Sequence, residues 1–531
     1  MSGPLERLVG RSRTTVPEVV EARAQRSPDA SFLRWEDRRW TYAEGLEEIR
    51  TFAGWARASA PADGARRIAS FLPNRPETMW TWLGTLASGA VYVPLNYSHR
   101  GDILEDMLRR SGADVLVTDR AGLASLPELH RTAVATLLVV DGEAGIDARS
   151  GVRVATWLEV AAATPAAPAV IAPGDPAVVM YTSGTTGRSK AVLMSHNQMC
   201  RGASAVARSL EITSDDVLHA WLPLYHVAGQ VDSVLCTILG GGAVSLLPTF
   251  SRSRFWQQVA ECGATILVGF SNVIEILWAM PPSPLDAECS LRVGMIGAVP
   301  PTIHREFEAR FGVRLCDVYG MTEAEPLALP EPGVELPVGS CGRANPDFEL
   351  VVLDEYDQVL PAGELGELAA RPRVPDIMFM RYEDDEAETL AACRNLWFHT
   401  GDLGRIDQEG FVYFVDRRRH AIRRRGENVS SWELEGIVGQ HAQVEECCAV
   451  GVPSPLGEED IKLVIVPKAG QTVAPTQLRQ WCEDRMAKFM LPRYVEIVDA
   501  LPRNVAGKLQ KEQLRTIADG TWDAEAVGIA R

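Results

Sequence analysis
The sequence predicts an α/β protein with a large N-terminal domain containing multiple sheets and a small, mobile α+β domain at its C-terminus. Three observations point there. At 531 residues the chain exceeds what one hydrophobic core can organise, so two or more folding units share it. Short apolar runs of strand length alternate with helical patterns through most of the chain, the rhythm of buried sheets covered by helices. Near Asp416 a dense charge cluster, Asp416-Arg417-Arg418-Arg419-His420, ends the apolar run 411–415, and a hinge belongs where few contacts cross.

In chain order, residues 115–118, 136–140, 178–181 and 266–270 are apolar runs of strand length. Residues 161–176, rich in Ala and Pro, read as an exposed connector inside the large domain, because apolar strand segments resume at once beyond it. The large domain is placed at 1–415 and the small one at 416–531, with the hinge at 416–420. Beyond the hinge, 433–438, 461–467 and 475–490 read as helix, strand and helix, enough for a compact domain of modest size.

Composition narrows the class. Hydrophobic residues make up 46% and charged residues 23%, ordinary globular usage, which excludes collagen-like, coiled-coil and wholly disordered chains. Fifty-three Lys and Arg against 70 Asp and Glu leave a net charge of −17. That balance repels nucleic acid and anionic membrane, so any anionic ligand must be held by local devices. The first thirteen residues carry Glu6, Arg7, Arg11 and Arg13 with no apolar stretch behind them, and no run is long and apolar enough to span a bilayer. A cytoplasmic protein is expected. The 10 cysteines include no CxxC pair, which points away from structural zinc and from a disulfide framework.

The segment richest in chemistry is Tyr181-Thr182-Ser183-Gly184-Thr185-Thr186-Gly187-Arg188-Ser189-Lys190, following a strand-like run. Small hydroxylated residues and two glycines let the backbone approach a polyphosphate, and Lys190 adds a cation. A flexible surface turn has the same composition. The Walker pattern is excluded, because Arg188 and Ser189 separate the second glycine from the lysine.

This decapeptide resembles the phosphate loop of the adenylate-forming superfamily of acyl-CoA synthetases, peptide-synthetase adenylation domains and luciferases, with Ser189 and Ala191 in place of the usual proline and glycine. Further motifs follow in the superfamily's order. Leu222-Pro223-Leu224-Tyr225-His226-Val227-Ala228-Gly229 is similar to the segment whose histidine borders the acid and moves between half-reactions. Gly297-Ala298 is similar to the adenine-side strand, although Ile296 stands where a small residue is common. In Asp317-Val318-Tyr319-Gly320-Met321-Thr322-Glu323, the resemblance implies that Asp317 accepts the adenine amino group and Tyr319 stacks on the base. Thr322 would meet the α-phosphate and Glu323 would hold Mg2+. Each role suits its group: an acceptor for an amine, a flat ring for a base, a carboxylate for a hard cation. Asp402, in Trp397-Phe398-His399-Thr400-Gly401-Asp402, would accept the ribose hydroxyls, and Arg417 would grip the same ribose. Lys508, at the end of Leu501-Pro502-Arg503-Asn504-Val505-Ala506-Gly507-Lys508, resembles the adenylation lysine, which bridges two anions that otherwise repel.

The resemblance implies a two-step enzyme that consumes ATP with Mg2+, releases pyrophosphate and passes an activated small carboxylic acid, or related anion, to a thiol, CoA above all. The small domain would rotate between the steps. Its other face would present Ala421-Ile422-Arg423-Arg424-Arg425-Gly426-Glu427-Asn428-Val429, similar to the hairpin beside the pantetheine tunnel. The arginines between 417 and 425 either collect the CoA phosphates or form a solvated hinge surface. Residues 411–435 resemble carnitine/crotonobetaine-type CoA ligases. Residues around His226, 268–271, 295–296 and 320–321 are expected to line a medium-sized acid pocket, shortened by Ile296. A separate carrier protein, or an arylamine receiving activated nitrite, remains an alternative acceptor. A nucleotide-binding pseudoenzyme is the non-catalytic alternative, and Lys508, Glu323 and Asp402 argue against it.

Overall fold
The structure is a computed structural model that describes residues 13–59, 66–142, 151–182, 189–301, 303–417, 422–425, 427–429, 431–455, 457–502, 509 and 511–529. Among these, the large domain is built on two mostly parallel sheets and one antiparallel sheet. The eight-stranded sheet has a parallel centre in which Arg67–Phe71 pairs with Val91–Pro94 and Val115–Thr118, and the latter with Thr136–Val139. Strands Pro176–Thr182 and Lys190–Ser195 close one side as an antiparallel pair. In the nine-stranded sheet, Val217–Ala220, Ile266–Phe270, Val293–Gly297 and Arg314–Met321 run parallel. Strands are present at all four expected places, 115–118, 136–140, 178–181 and 266–270, the second ending at Val139, and 162–175 is irregular chain after helix Trp157–Ala161.

Helix Pro76–Ser88 is enclosed on almost every side. It packs within the shared core with nearly every side chain buried, and Thr85 bonds back along it, its Oγ1 donating to Thr81 O at 2.5 Å. Gly84 permits the closeness: a Cβ there would stand 2.8 Å from Phe52 Cβ on helix Tyr42–Ala58. Helix His196–Ser209 starts where Ser195 Oγ accepts from Gln198 N, a side-chain cap that satisfies one of the first free N–H groups.

The antiparallel sheet Phe348–Leu353, Gly366–Pro372, Phe398–Ile406 and Val412–Arg417 completes the large domain. Its last strand continues to Arg417, which stands opposite Asp402 in register. Residues 418–420, the rest of the expected hinge, lie outside the described residues. The chain resumes with hairpin Ile422–Arg424 and Glu427–Val429, then helix Ser431–Val438 and a four-stranded sheet. A separate core of Leu434, Val438, Ile461, Leu463, Leu478 and their neighbours holds this unit together. The expected single helix over 475–490 is divided. Helix Pro475–Glu483 stops, and a 3₁₀ turn follows at Lys488–Met490. Pro492 disfavours helical backbone in the residue before it, so the chain has to leave the helix as it approaches strand Tyr494–Ile497.

Candidate active site
Strands Pro176–Thr182, Ile266–Phe270, Val293–Gly297 and Arg314–Met321 all end at one cavity of about 830 Å3. In parallel sheets such a crevice at the carboxyl ends of strands is where ligands sit, since no side chain of the strand itself fills it. Thr182, Lys190, His226, Gly297, Ala298, Asp317, Tyr319, Thr322, Glu323 and Asp402 all line it. Ser183, Gly184, Thr185, Thr186, Gly187 and Lys508 lie outside the described residues. Thr182 pairs with Lys190 across the antiparallel strands, and both line the cavity.

At one end, Asp317 is buried and its carboxylate accepts from Ala298 N at 3.0 Å and Val299 N at 3.1 Å. Ala298 has φ of 62°, the left-handed turn that aims both N–H groups at one carboxylate. Burial pushes Asp317 up to about 7, and the backbone hydrogen bonds only partly oppose it. Tyr319 donates through its hydroxyl to Asp402 Oδ2 at 3.0 Å, and its ring lies stacked near Phe414, 6.0 Å between centroids. Asp402 is fixed locally: Thr400 Oγ1 accepts from Asp402 N, and buried Glu367 accepts from Gly401 N. Arg417 places its backbone opposite Asp402.

Glu323 is held in two ways. Gln198 Nε2 donates to the Thr322 and Glu323 carbonyls, fixing the backbone, and Tyr382 donates its hydroxyl to Glu323 Oε1 at 2.7 Å. Lys190 Nζ lies 2.5 Å from Glu388 Oε1 and 4.4 Å above the Tyr382 ring. The expected phosphate cation is therefore pre-positioned by an acid and a ring. No group of three or more His, Cys, Asp or Glu among the described residues forms a metal cage. A single carboxylate on the cavity wall fits an ion that takes its other ligands from phosphate oxygens and water, as magnesium does.

At the other end, His226 Nε2 and Glu427 Oε1 are 2.8 Å apart, a bond from the large domain to the C-terminal hairpin. Burial alone lowers the His226 pKa; the charge and hydrogen bond of Glu427 outweigh it and leave it above the usual histidine value. His99 lies edge-on to Phe489 of the small domain, and burial lowers its pKa to about 4. The hairpin named from sequence thus faces the cavity. Its arginines part company: Arg424 is buried against Asp460 at 3.4 Å, Arg423 reaches over the Phe270 ring, and Arg425 is exposed. Arg424 is consumed inside the small domain and is not available to CoA.

One expectation is corrected. Met295 lines the cavity, but Ile296 is fully buried in a different cluster, with Phe255, Trp256 and Leu267. Successive side chains of a strand point to opposite faces, so adjacent residues of Val293–Gly297 cannot both line one pocket. Tyr382, Glu388, Glu427, Asp232 and Glu325 are cavity residues that sequence reasoning did not assign. Glu427 sits within the quoted hairpin and Glu325 two residues beyond a quoted motif; for Tyr382 and Glu388 no local pattern distinguishes them from surface residues.

The AMP-binding enzyme family matches residues 20–381, and the AMP-binding enzyme C-terminal domain matches residues 433–508. Crotonobetaine/carnitine–CoA ligases of Salmonella heidelberg (strain SL476) and Salmonella typhimurium (strain LT2) are each 33% identical over 484 residues, covering 90% of this chain and 93% of theirs. Among solved structures, an o-succinylbenzoate CoA synthetase from Bacillus subtilis aligns with a TM-score of 0.80 at 25% identity, covering 94% of this chain and 98% of its own. An amide bond synthetase from Marinactinospora thermotolerans aligns with a TM-score of 0.81 at 25% identity, covering 94% and 99%.

Proposed function
This chain belongs to the AMP-binding enzyme family and is an AMP-forming acid–CoA ligase, and we propose that the residues of its cavity carry the two half-reactions as follows. In the first, a carboxylate oxygen of a small acid attacks the α-phosphorus of ATP, and pyrophosphate leaves. Asp317 accepts the adenine amino group, Tyr319 offers its ring to the base, and Asp402 with Arg417 holds the ribose. Thr322 meets the α-phosphate, and residues 182–187 with Lys190 hold the leaving phosphates. Lys508 spans the acid carboxylate and the α-phosphate. Glu323 would hold magnesium, which supplies charge neutralisation along the phosphates when bound. In the second half-reaction the thiol of CoA attacks the activated carbonyl, the carbonyl–oxygen bond to AMP breaks, and AMP leaves with that oxygen. His226 borders the acid and, through Glu427, answers to the position of the small domain.

The observation that supports this reading most is the hydrogen bond between Tyr319 and Asp402. It joins two motifs distant in sequence into one surface on which a base and a ribose fit side by side. The test is ATP–pyrophosphate exchange across a panel of small acids, followed by a search for the acceptor. Exchange that depends on an acid, with thioester formed from CoA, is expected. Exchange with no thioester from CoA, but with acyl transfer to a carrier protein, rejects CoA as acceptor; ADP in place of AMP rejects the adenylate.

A further inference from the structure
Where the small domain meets the large one, a carboxyl group stands that neither half-reaction uses. Helix Ser271–Trp278 follows directly on strand Ile266–Phe270 and carries Glu275 on the cavity wall. Against it lies Gly457 of the small domain, in the connection between strands Val444–Pro453 and Glu459–Pro467. A Cβ at Gly457 would overlap the Glu275 carboxyl, so only glycine leaves room for it, and the φ of 89° at Gly457 calls for glycine as well. The connection is held by Gly457 N donating to Ser454 O at 3.1 Å and Ser454 N to Glu458 O at 2.8 Å. Glu275 Oε2 is shut off from solvent without a hydrogen-bond partner among the described residues.

The charges around this contact come from the small domain. Glu458 faces Glu275 from the same connection, and Arg423 approaches from hairpin Ile422–Arg424, its guanidinium over the Phe270 ring and its Nε 3.9 Å from Glu458 Oε1. The helix that bears Glu275 has no other charged residue. Burial first, and then the charge of Glu458, push Glu275 up to about 7. With the small domain seated here, the ionised form has both burial and a like charge against it, and the neutral form has neither.

We propose that Glu275 is a positioning residue for the thiol step: protonated, it seats Gly457 and holds the small domain with its hairpin on the cavity, and ionised, it repels Glu458 and releases the domain. A small domain that moves between the half-reactions is part of the ligase reading above, and the latch rests on it. Glu275 acts through the position of that domain. The seated arrangement binds the proton more tightly, so low pH favours it and the preference is lost as pH rises through about 7. A carboxyl that returns to an ordinary glutamate value of about 4.3 when uncovered shifts the balance of the two arrangements about tenfold between pH 6 and pH 8.

The experiment uses the full chain, with an acid that supports ATP–pyrophosphate exchange and the acyl adenylate of that acid. Thioester formation from the supplied adenylate at saturating CoA, and exchange, are each measured at pH 6 and pH 8. The unaltered protein is compared with Glu275→Gln, whose amide keeps the shape of the neutral acid and does not ionise. Dividing the rate of the variant by that of the unaltered protein at each pH removes the ionisation of the CoA thiol and of the His226–Glu427 contact, which both proteins share. For thioester formation this ratio should rise at least about threefold from pH 6 to pH 8, with about tenfold as the full linkage; for exchange it should not rise. A smaller rise for thioester formation, or a change confined to the KM for CoA, overturns the latch and leaves the ligase reading intact. No acid-dependent exchange and no thioester from the unaltered protein overturns both. Glu458→Gln removes the like charge from the other side and decides the matter if Glu275→Gln does not fold: its ratio should also rise with pH, and a flat one overturns the latch.

Discussion
At the residue scale, the expected magnesium ligand is not a lone carboxylate but half of a pair. The Tyr382 hydroxyl donates to Glu323 Oε1, and Glu323 lines the cavity. A ligand so oriented loses metal affinity when its supporting donor goes, commonly about 10- to 100-fold. Tyr382→Phe should therefore raise the magnesium concentration needed for half-maximal turnover on that scale, with the protein still folded. Superimposable magnesium titrations would show that Tyr382 does not orient a metal ligand. Which residues belong to the site was legible wherever a motif is local, as in Asp317 to Glu323. It was not legible for Tyr382 or Glu388, which reach the cavity from a two-residue strand and a short helix with no recurrent spacing. Ile296 failed for a different reason: a motif position was transferred without asking which face of the strand it occupies.

At the element scale, the C-terminal hairpin is the part that connects chemistry to domain position. It meets the acid end through Glu427 on His226, and this contact sets the hairpin beside the cavity. Glu427→Gln keeps the shape but weakens the attraction for a histidine whose pKa Glu427 raises. The variant should slow thioester formation from a supplied acyl adenylate by about tenfold, as expected for loss of a charged hydrogen bond worth roughly 1.5 kcal/mol, and slow pyrophosphate exchange less. Equal loss in both assays would mean the contact serves the fold and not the transfer arrangement. A histidine raised above its unfolded value is fully charged below about pH 6.5, and the bond weakens as pH rises through the folded value, so the difference between variant and unaltered protein should shrink at high pH. The hairpin was legible in sequence because its residues are contiguous. The division of its arginines was not, since burial of Arg424 depends on Asp460 and on carbonyls from another strand-and-turn segment.

At the scale of the whole molecule, several carboxyls are held above their ordinary range by burial: Asp317 and Glu275 at about 7, Glu325 at about 8. The folded protein binds more protons at these groups than the unfolded chain does between about pH 4 and pH 8, so stability falls as pH rises through that window. Melting temperature of the ligand-free protein should be lower at pH 8 than at pH 6, and the fall should be shallower in Glu325→Gln; a steeper fall in that variant would contradict the burial account. The two-part architecture was legible from length, alternation and the charge cluster near Asp416, because those follow from chain-wide rules. The pairing order of the sheets was not, since it depends on contacts between strands far apart in the chain. The claim that unites the scales is that the acid is activated as an acyl adenylate and then handed to CoA, and isotope transfer tests it most directly. An acid that supports exchange is labelled with 18O in its carboxylate and converted with ATP and CoA. One labelled oxygen should appear in the phosphate of each AMP released, because the attacking oxygen leaves with AMP when the thiol breaks the carbonyl–oxygen bond. AMP without label, with acyl-CoA still formed, would contradict the account.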